Sequence, residues 1–164
     1  MLGCIRFRVK YPVPKPWEVP LVFQIRALRV DDYDRLIDLW KAAGLEHKPR
    51  GRDRRICIEQ EMAGPSSVFL VAEEKGEMIG AVLGTHDGRK GWINRLAVAP
   101  AHRRRGVGQA LVDAAEERLV AIGIRIVTCL IEDWNTESMA FFEGIGYVEH
   151  RECVYYSKRM EPDV

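Results

Sequence analysis

No run in this 164-residue chain approaches the ~20 apolar residues that a membrane-spanning helix needs. A secretory leader is not expected either. The first twenty residues carry charges throughout and have four prolines, Pro12, Pro14, Pro16 and Pro20, where a leader has its apolar core. Leu2-Gly3-Cys4 has the outline of a lipoprotein cleavage box, but no hydrophobic region precedes it. Cysteine is scarce: Cys4, Cys57, Cys129 and Cys153 form no C-x-x-C pair and have no histidine at zinc-ligand spacing. No metal site is expected, and reduced thiols point to a cytoplasmic setting. Cys57 and Cys129 lie in apolar runs and read as small core residues. Charge of one sign is missing too. Twenty-five basic residues meet 24 acidic ones, a net charge of +1, which argues against a general nucleic-acid surface.

What remains is an ordinary globular composition, 47% apolar and 30% charged, of a size that makes one domain with a sizeable core. Residues 1–22 read as a Pro-rich extended arm, and residues 23–160 as the folded domain. No internal repeat occurs. The most informative stretch is Trp92 to Ile122. It opens with the apolar run Leu96-Ala97-Val98, bounded by Pro100, and continues through Arg103, Arg104 and Arg105 to Gly106-Val107-Gly108. Apolar residues then fall at Val107, Leu111, Ala114, Ala115, Leu119 and Ile122, the spacing of a helix with one buried face. Strand, basic glycine-containing turn and helix follow one another.

The first N–H groups of a helix have no intrahelical partner, and the helix dipole adds partial positive charge at the same end. Two glycines permit close approach to the backbone, and arginine grips phosphate, so this turn reads as a site for a phosphate ester. A nucleoside-triphosphate loop would require Lys-Ser or Lys-Thr after the glycines, and a dinucleotide loop a third small residue where Leu111 stands. Neither pattern is present.

Around this stretch the chain reads as follows. Phe23 to Arg29 alternates as a strand. Asp31 and Asp32 cap or begin a helix that buries Tyr33, Leu36, Ile37, Leu39 and Trp40 and ends at Gly44. A second helix runs from about Ile56 to Met62 and breaks at Gly64-Pro65. Ser67 to Ala72, Met78 to Thr85 and the strand ending at Val98 form a meander through turns at Glu74–Glu77 and Asp87-Gly88. After the long helix come a strand over Ile124 to Ile131, a helix over Thr136 to Gly144, and a strand pair from Tyr147 to Arg159. The fold class is α/β (α+β), in the order β-α-α-β-β-β-α-β-α-β: a mixed, largely antiparallel sheet with helices on both faces.

The segment Arg103-Arg104-Arg105-Gly106-Val107-Gly108, after a Leu-Ala-Val-x-Pro strand, resembles the coenzyme A pyrophosphate motif [Arg/Gln]-x-x-Gly-x-[Gly/Ala] of the GNAT acyltransferase superfamily. Asn135 to Tyr147 resembles the second coenzyme A element of the same family, and the element order is similar to its fold over residues 23–160. The resemblance implies an acetyl-CoA-dependent N-acetyltransferase. In it the pantetheine arm would pair with the backbone of Leu96, Ala97 and Val98. The pyrophosphate would rest on Arg103, Arg104, Arg105, Gly106, Val107 and Gly108 and on the first helical residues Gln109 and Ala110. Asn135 and Phe142 would border the thiol end. It further implies an amine acceptor attacking the thioester directly, and a homodimer by family habit.

Two departures stand out. Phe142 occupies the position of a tyrosine that many members use as general acid, and Leu130 stands where some carry a glutamate base. No catalytic residue is therefore assigned. Glu132, Asp133, His86, Asp87 and Tyr147 read as structural or solvated. The resemblance also implies that the loop between the first two helices and the final strands shape the acceptor site. Here that loop is Gly44 to Asp53, with Glu46, His47, Lys48, Arg50 and Arg52, a basic rim that would suit an anionic acceptor. Two alternatives stand beside the enzyme. One is a non-catalytic coenzyme A-sensing domain, kept open by Phe142. The other is a nucleic-acid module using Arg103 to Arg105, which lacks any recognition-helix or base-stacking motif.

Overall fold

The computed structural model describes residues 22–160. One sheet of five strands runs in chain order: β1 (Gln24–Ala27), β2 (Ser67–Glu74), β3 (Glu77–His86), β4 (Gly91–Val98) and β5 (Val127–Cys129). The first four are antiparallel neighbours and β5 joins β4 in parallel. Tight turns make the meander. Lys75 and Gly76 both take positive φ between β2 and β3, and the Asp87 carboxylate accepts from the N–H groups of Arg89 and Lys90 before β4.

Helices cover both faces. α1 (Tyr33–Ala43) and α2 (Arg55–Ala63) pack on one, with Leu36, Trp40 and Ile58 buried against Phe69, Val71, Ala81 and Leu83. α3 (Val107–Ala121) and α4 (Thr136–Gly144) cover the other, where Leu111, Val112 and Leu119 meet Leu70, Ile79, Val82 and Ile93. The inward set of α3 follows the expected spacing, and α3 sits close to the sheet. A Cβ on Gly80 would lie 2.9 Å from Val107 and Leu111 side-chain carbons, and one on Gly91 2.6 Å from Leu119. α1 stops where Gly44 turns left-handed at φ +79°.

At the open end of β1, Asp32 accepts from Arg26 and Arg35, and Glu73 accepts from the same two arginines. Asp32 is buried and makes no side-chain cap to α1. It locks strand to helix instead of simply starting the helix. The arginine hydrogen bonds hold the Glu73 carboxyl down at about 2 and the Asp32 carboxyl below its ordinary range.

The C-terminal half departs from the sequence reading. Ile122 is exposed, just past the last turn of α3. The strand expected over Ile124 to Ile131 is only three residues long, because β4 bulges at Asn94 and leaves it without a partner beyond Cys129. The strand pair expected from Tyr147 to Arg159 is absent. Val148, Val154, Tyr155 and Tyr156 are all exposed, and none of this segment pairs with the free edge of β5. A strand requires a neighbour for its N–H and C=O groups, and this segment finds none among the described residues. Cys57 and Cys129 are half-buried rather than core residues. The proposed N-terminal arm, with Cys4, lies outside the described residues apart from Val22.

Candidate active site

The site begins with the gap between β4 and β5. Pairing of the two strands runs through Ile93↔Cys129 and stops, while β4 continues to Val98. The last four residues of β4, Arg95 to Val98, therefore have a neighbour on the β3 side only. The bulge marks the place: Leu83 pairs with Arg95 and Gly84 with Ile93, leaving Asn94 out of register.

Which backbone groups face the gap follows from alternation along the strand. The Ala99 N–H donates to the Ile79 carbonyl at 2.9 Å, so Ala97, two residues back, also turns its backbone toward β3. Leu96 and Val98 then present theirs to the gap. Their side chains pack on the α3 side and that of Ala97 on the α1 side. Of the three residues expected to pair with a pantetheine arm, Leu96 and Val98 have the free groups and Ala97 has spent its own.

The gap leads to the basic turn. Arg104 takes φ +60° and Gly106 φ +80°, and these left-handed residues wind the chain into the start of α3. Among the described residues, the N–H groups of Arg104, Arg105, Gly106, Val107, Gly108 and Gln109 make no hydrogen bond. Ala110 is the first to donate, to the Gly106 carbonyl at 3.0 Å. Six successive free donors at a helix N-terminus make a nest for an anion with several oxygens. Ala110 itself is outside that set.

The three arginines are not equivalent. Arg105 pairs with Glu74 at 2.6 Å, and His102 approaches the same carboxylate at 3.3 Å. Arg103 donates to the Ala43 carbonyl at 3.2 Å and lies 3.6 Å from Glu137. Both tie the turn to its surroundings. Arg104 has no such partner among the described residues.

α4 closes the far side. The Asn135 side-chain oxygen accepts from the Ser138 N–H at 3.2 Å and is used as the helix cap. Phe142 is buried, edge-to-face with Phe141 and Tyr147. It is Phe141 that reaches the turn: a Cβ on Gly108 would sit 3.4 Å from its ring and 3.6 Å from Val98. The Tyr147 hydroxyl donates to Glu116 at 2.7 Å, and burial raises its pKa further above the ordinary range. It is a structural donor.

The other face of β4 holds groups that no sequence motif announces. Arg95 is stacked over Trp40 at 4.4 Å and donates to the Asp53 carboxylate at 2.8 Å and to the Glu46 carbonyl at 2.7 Å. Asp53, buried, also accepts from the Lys48 N–H, and its carbonyl accepts from the Tyr33 hydroxyl. Together they pin the Gly44–Asp53 loop onto the sheet beside the bulge. Lys48 pairs with Glu46 across that loop. The available signal was a charged residue inside an apolar strand, which is seldom buried without a partner. The partner, Asp53, is 42 positions away. His86 Nε2 lies 3.2 Å from the Pro65 carbonyl, and Asp87 serves its turn. No cluster of three or more potential metal ligands occurs among the described residues, and no described helix is long and apolar enough to cross a membrane.

The comparisons with known proteins agree with this geometry. Residues 33–147 match the model of the acetyltransferase (GNAT) family. The acetyltransferase plu1384 of Photorhabdus laumondii subsp. laumondii is 33% identical over 141 residues, which are 85% of this chain and 97% of that protein. Among solved structures, the PaiA N-acetyltransferase of Thermoplasma acidophilum in complex with coenzyme A superposes with a TM-score of 0.69. It is 19% identical, over 76% of this chain and 88% of that one. The aminoglycoside N-acetyltransferase AAC(6')-Iy, bound to a bisubstrate analogue, gives 0.71 at 20% identity, over 84% and 98%. At those identities the structures speak for the fold, while the family match and the closer relative speak for descent. The open β4–β5 gap, the donor-lined turn and these matches converge: the chain belongs to the GNAT family of N-acetyltransferases.

Proposed function

We propose that residues 23–160 transfer the acetyl group of acetyl-CoA to a primary amine by direct attack within a ternary complex. The observation that carries this reading is the run of six free N–H groups at Arg104–Gln109, joined to the free backbone of Leu96 and Val98. The turn receives the pyrophosphate on its backbone N–H groups, with Arg104 adding charge and Arg103 and Arg105 holding the turn in shape. The pantetheine arm lies along the free edge of β4, with the side chains of Leu96 and Val98 backing it. Both structural neighbours described above carry ligands of the coenzyme A type, which supports the same choice of co-substrate.

In the reaction, the amine nitrogen attacks the thioester carbonyl carbon and the C–S bond breaks. A backbone N–H at the gap, that of Val98, stabilises the oxyanion, and fixing both reactants side by side supplies most of the acceleration. The amine proton passes to water, and water protonates the leaving thiolate. Phe142 has no proton to give, and Tyr147 is committed to Glu116.

The test is calorimetric titration of acetyl-CoA into the wild-type protein and Gly106→Glu, with turnover of an amine panel followed by thiol release. Gly106 has open space around it, so the substitution adds φ strain and a negative charge at the turn without a core clash. Micromolar binding by the wild type, weakened at least 100-fold in the variant, and thiol release with an amine support the transferase. Binding without turnover on any amine would instead identify a coenzyme A-sensing domain.

A further inference from the structure

A cleft of about 360 Å³ opens between the C-terminal end of α2 and the adjoining ends of β2 and β3. Gln60, Glu61, Ser66, Ser67 and Thr85 line it. It is separate from the nest at the start of α3 but not remote from the gap. The Thr85 hydroxyl accepts from the Asn94 side-chain amide at 2.8 Å, and Asn94 is the bulged residue where β5 leaves β4. One side chain thus spans from the cleft wall to the mouth of the gap.

Within the cleft the charge is negative and unspent. Glu61 is exposed to it; its backbone carbonyl accepts from the Gly64 N–H, while its carboxylate has no ion-pair or hydrogen-bond partner among the described residues. The surrounding protein raises its carboxyl above the ordinary range, Asp53 adds to the rise, and Arg52 and Arg95 oppose it. Arg95 is neutralised by Asp53, so Arg52, on the loop, is the nearby cation free to compete. Ser67 is committed as a donor to the Met62 and Gly64 carbonyls and shapes the wall.

Resting on the transferase reading above, we infer that this cleft seats the acceptor and that Glu61 holds a second cationic group on it. The nitrogen that attacks the thioester must be neutral when it does so. A cation held in the cleft is therefore a different group of the same molecule, an ammonium a few bonds from the reacting amine. The acceptor class is a diamine or a larger amine with two basic centres, one fixed on Glu61 and the other carried past Asn94 to the gap. The carboxylate selects for charge, and its distance from the bulge selects for spacing. The basic rim of the Gly44–Asp53 loop then repels a misplaced ammonium and does not recruit an anion.

The experiment is nitrogen-15 NMR of the protein alone, titrated with 1,4-diaminobutane and with 4-amino-1-butanol, which replaces one ammonium by a hydroxyl. Amide signals of Glu61, Ser66 and Thr85 are expected to move saturably with the diamine, and at least fivefold more weakly with the amino alcohol. Glu61→Gln removes that preference, and Arg52→Gln strengthens diamine binding about twofold. In turnover, Glu61→Gln raises the diamine KM about tenfold, with kcat and acetyl-CoA affinity kept. Equal shifts with both amines, shifts indifferent to Glu61→Gln, or no shifts in the cleft would overturn the assignment. Failure of acetyl-CoA to bind is a separate outcome that overturns the transferase reading, because the NMR titration contains no cofactor.

Discussion

The two faces of β4 are built by opposite means. Toward β5, the candidate cofactor site is mainly backbone: free N–H and C=O groups at Leu96 and Val98, then six successive N–H donors at the start of α3. Toward α1 and α2, the arrangement is of side chains brought from separate elements: Trp40, Asp53 and Arg95 pin the loop, and Glu61 and Thr85 line the cleft beside it. A backbone site depends on strand ends, glycines and a helix start, which lie together in the chain. A side-chain site depends on distant residues meeting. The first kind tolerates many sequences around a short motif, whereas the second is rebuilt by each exchange of a residue.

The largest expected effect breaks the side-chain face. Arg95→Ala leaves Asp53 buried with its charge uncompensated and should cost about 3–5 kcal/mol, measured by urea unfolding. Where the variant folds, acetyl-CoA affinity should hold while the Gly44–Asp53 loop becomes sensitive to protease. Weakened acetyl-CoA binding in folded protein would show that the two faces are coupled. Next comes acid. The Glu73 carboxyl is lowered in the fold, so its contribution is full above its unfolded value of 4.5 and is lost as pH falls toward about 2; Asp32, also lowered, acts in the same direction. Stability measured from pH 5 to pH 2.5 should drop, and Glu73→Gln should flatten that drop. An unchanged profile would mean the cluster does not hold β1 to α1. The smallest effect is on the backbone face. Gly108→Ala places a methyl in ordinary contact with Phe141 and Val98, and should change stability by less than about 0.5 kcal/mol. Gly108→Leu adds volume against the Phe141 ring and should weaken acetyl-CoA binding. If the alanine variant lost binding as well, the turn would need more room than its backbone geometry indicates.

Legibility followed the same division. The meander, the two N-terminal helices and α4 were readable because local periodicity, turn residues and glycine stops agree with the final packing. Gly44 ending α1 is local chemistry and stands as read, and Asn135 capping α4 is local chemistry of the same kind. The strand end Leu96–Val98, the Arg103–Gly108 turn and the helix after it were readable as one strand–turn–helix unit because they lie in one stretch. Their finer division was not. That Ala97 turns its backbone to β3, that Ala110 is already bonded, and that Arg103 and Arg105 hold the turn all require register and partners. The strand pair expected from Tyr147 to Arg159 failed for the same reason, since whether a segment finds a neighbouring strand is not decided within the segment.

The sequence by itself determined the element order as far as α4, most of the apolar faces and the place of the basic glycine-containing turn, because those are properties of residues near one another along the chain. Tertiary structure alone decided where β5 stops, that Phe141 and not Phe142 meets the turn, and that Arg95 finds Asp53 across 42 positions. Each of those depends on a bulge, a register or a long-range contact, and such contacts exist only once the sheet has brought distant parts of the chain together.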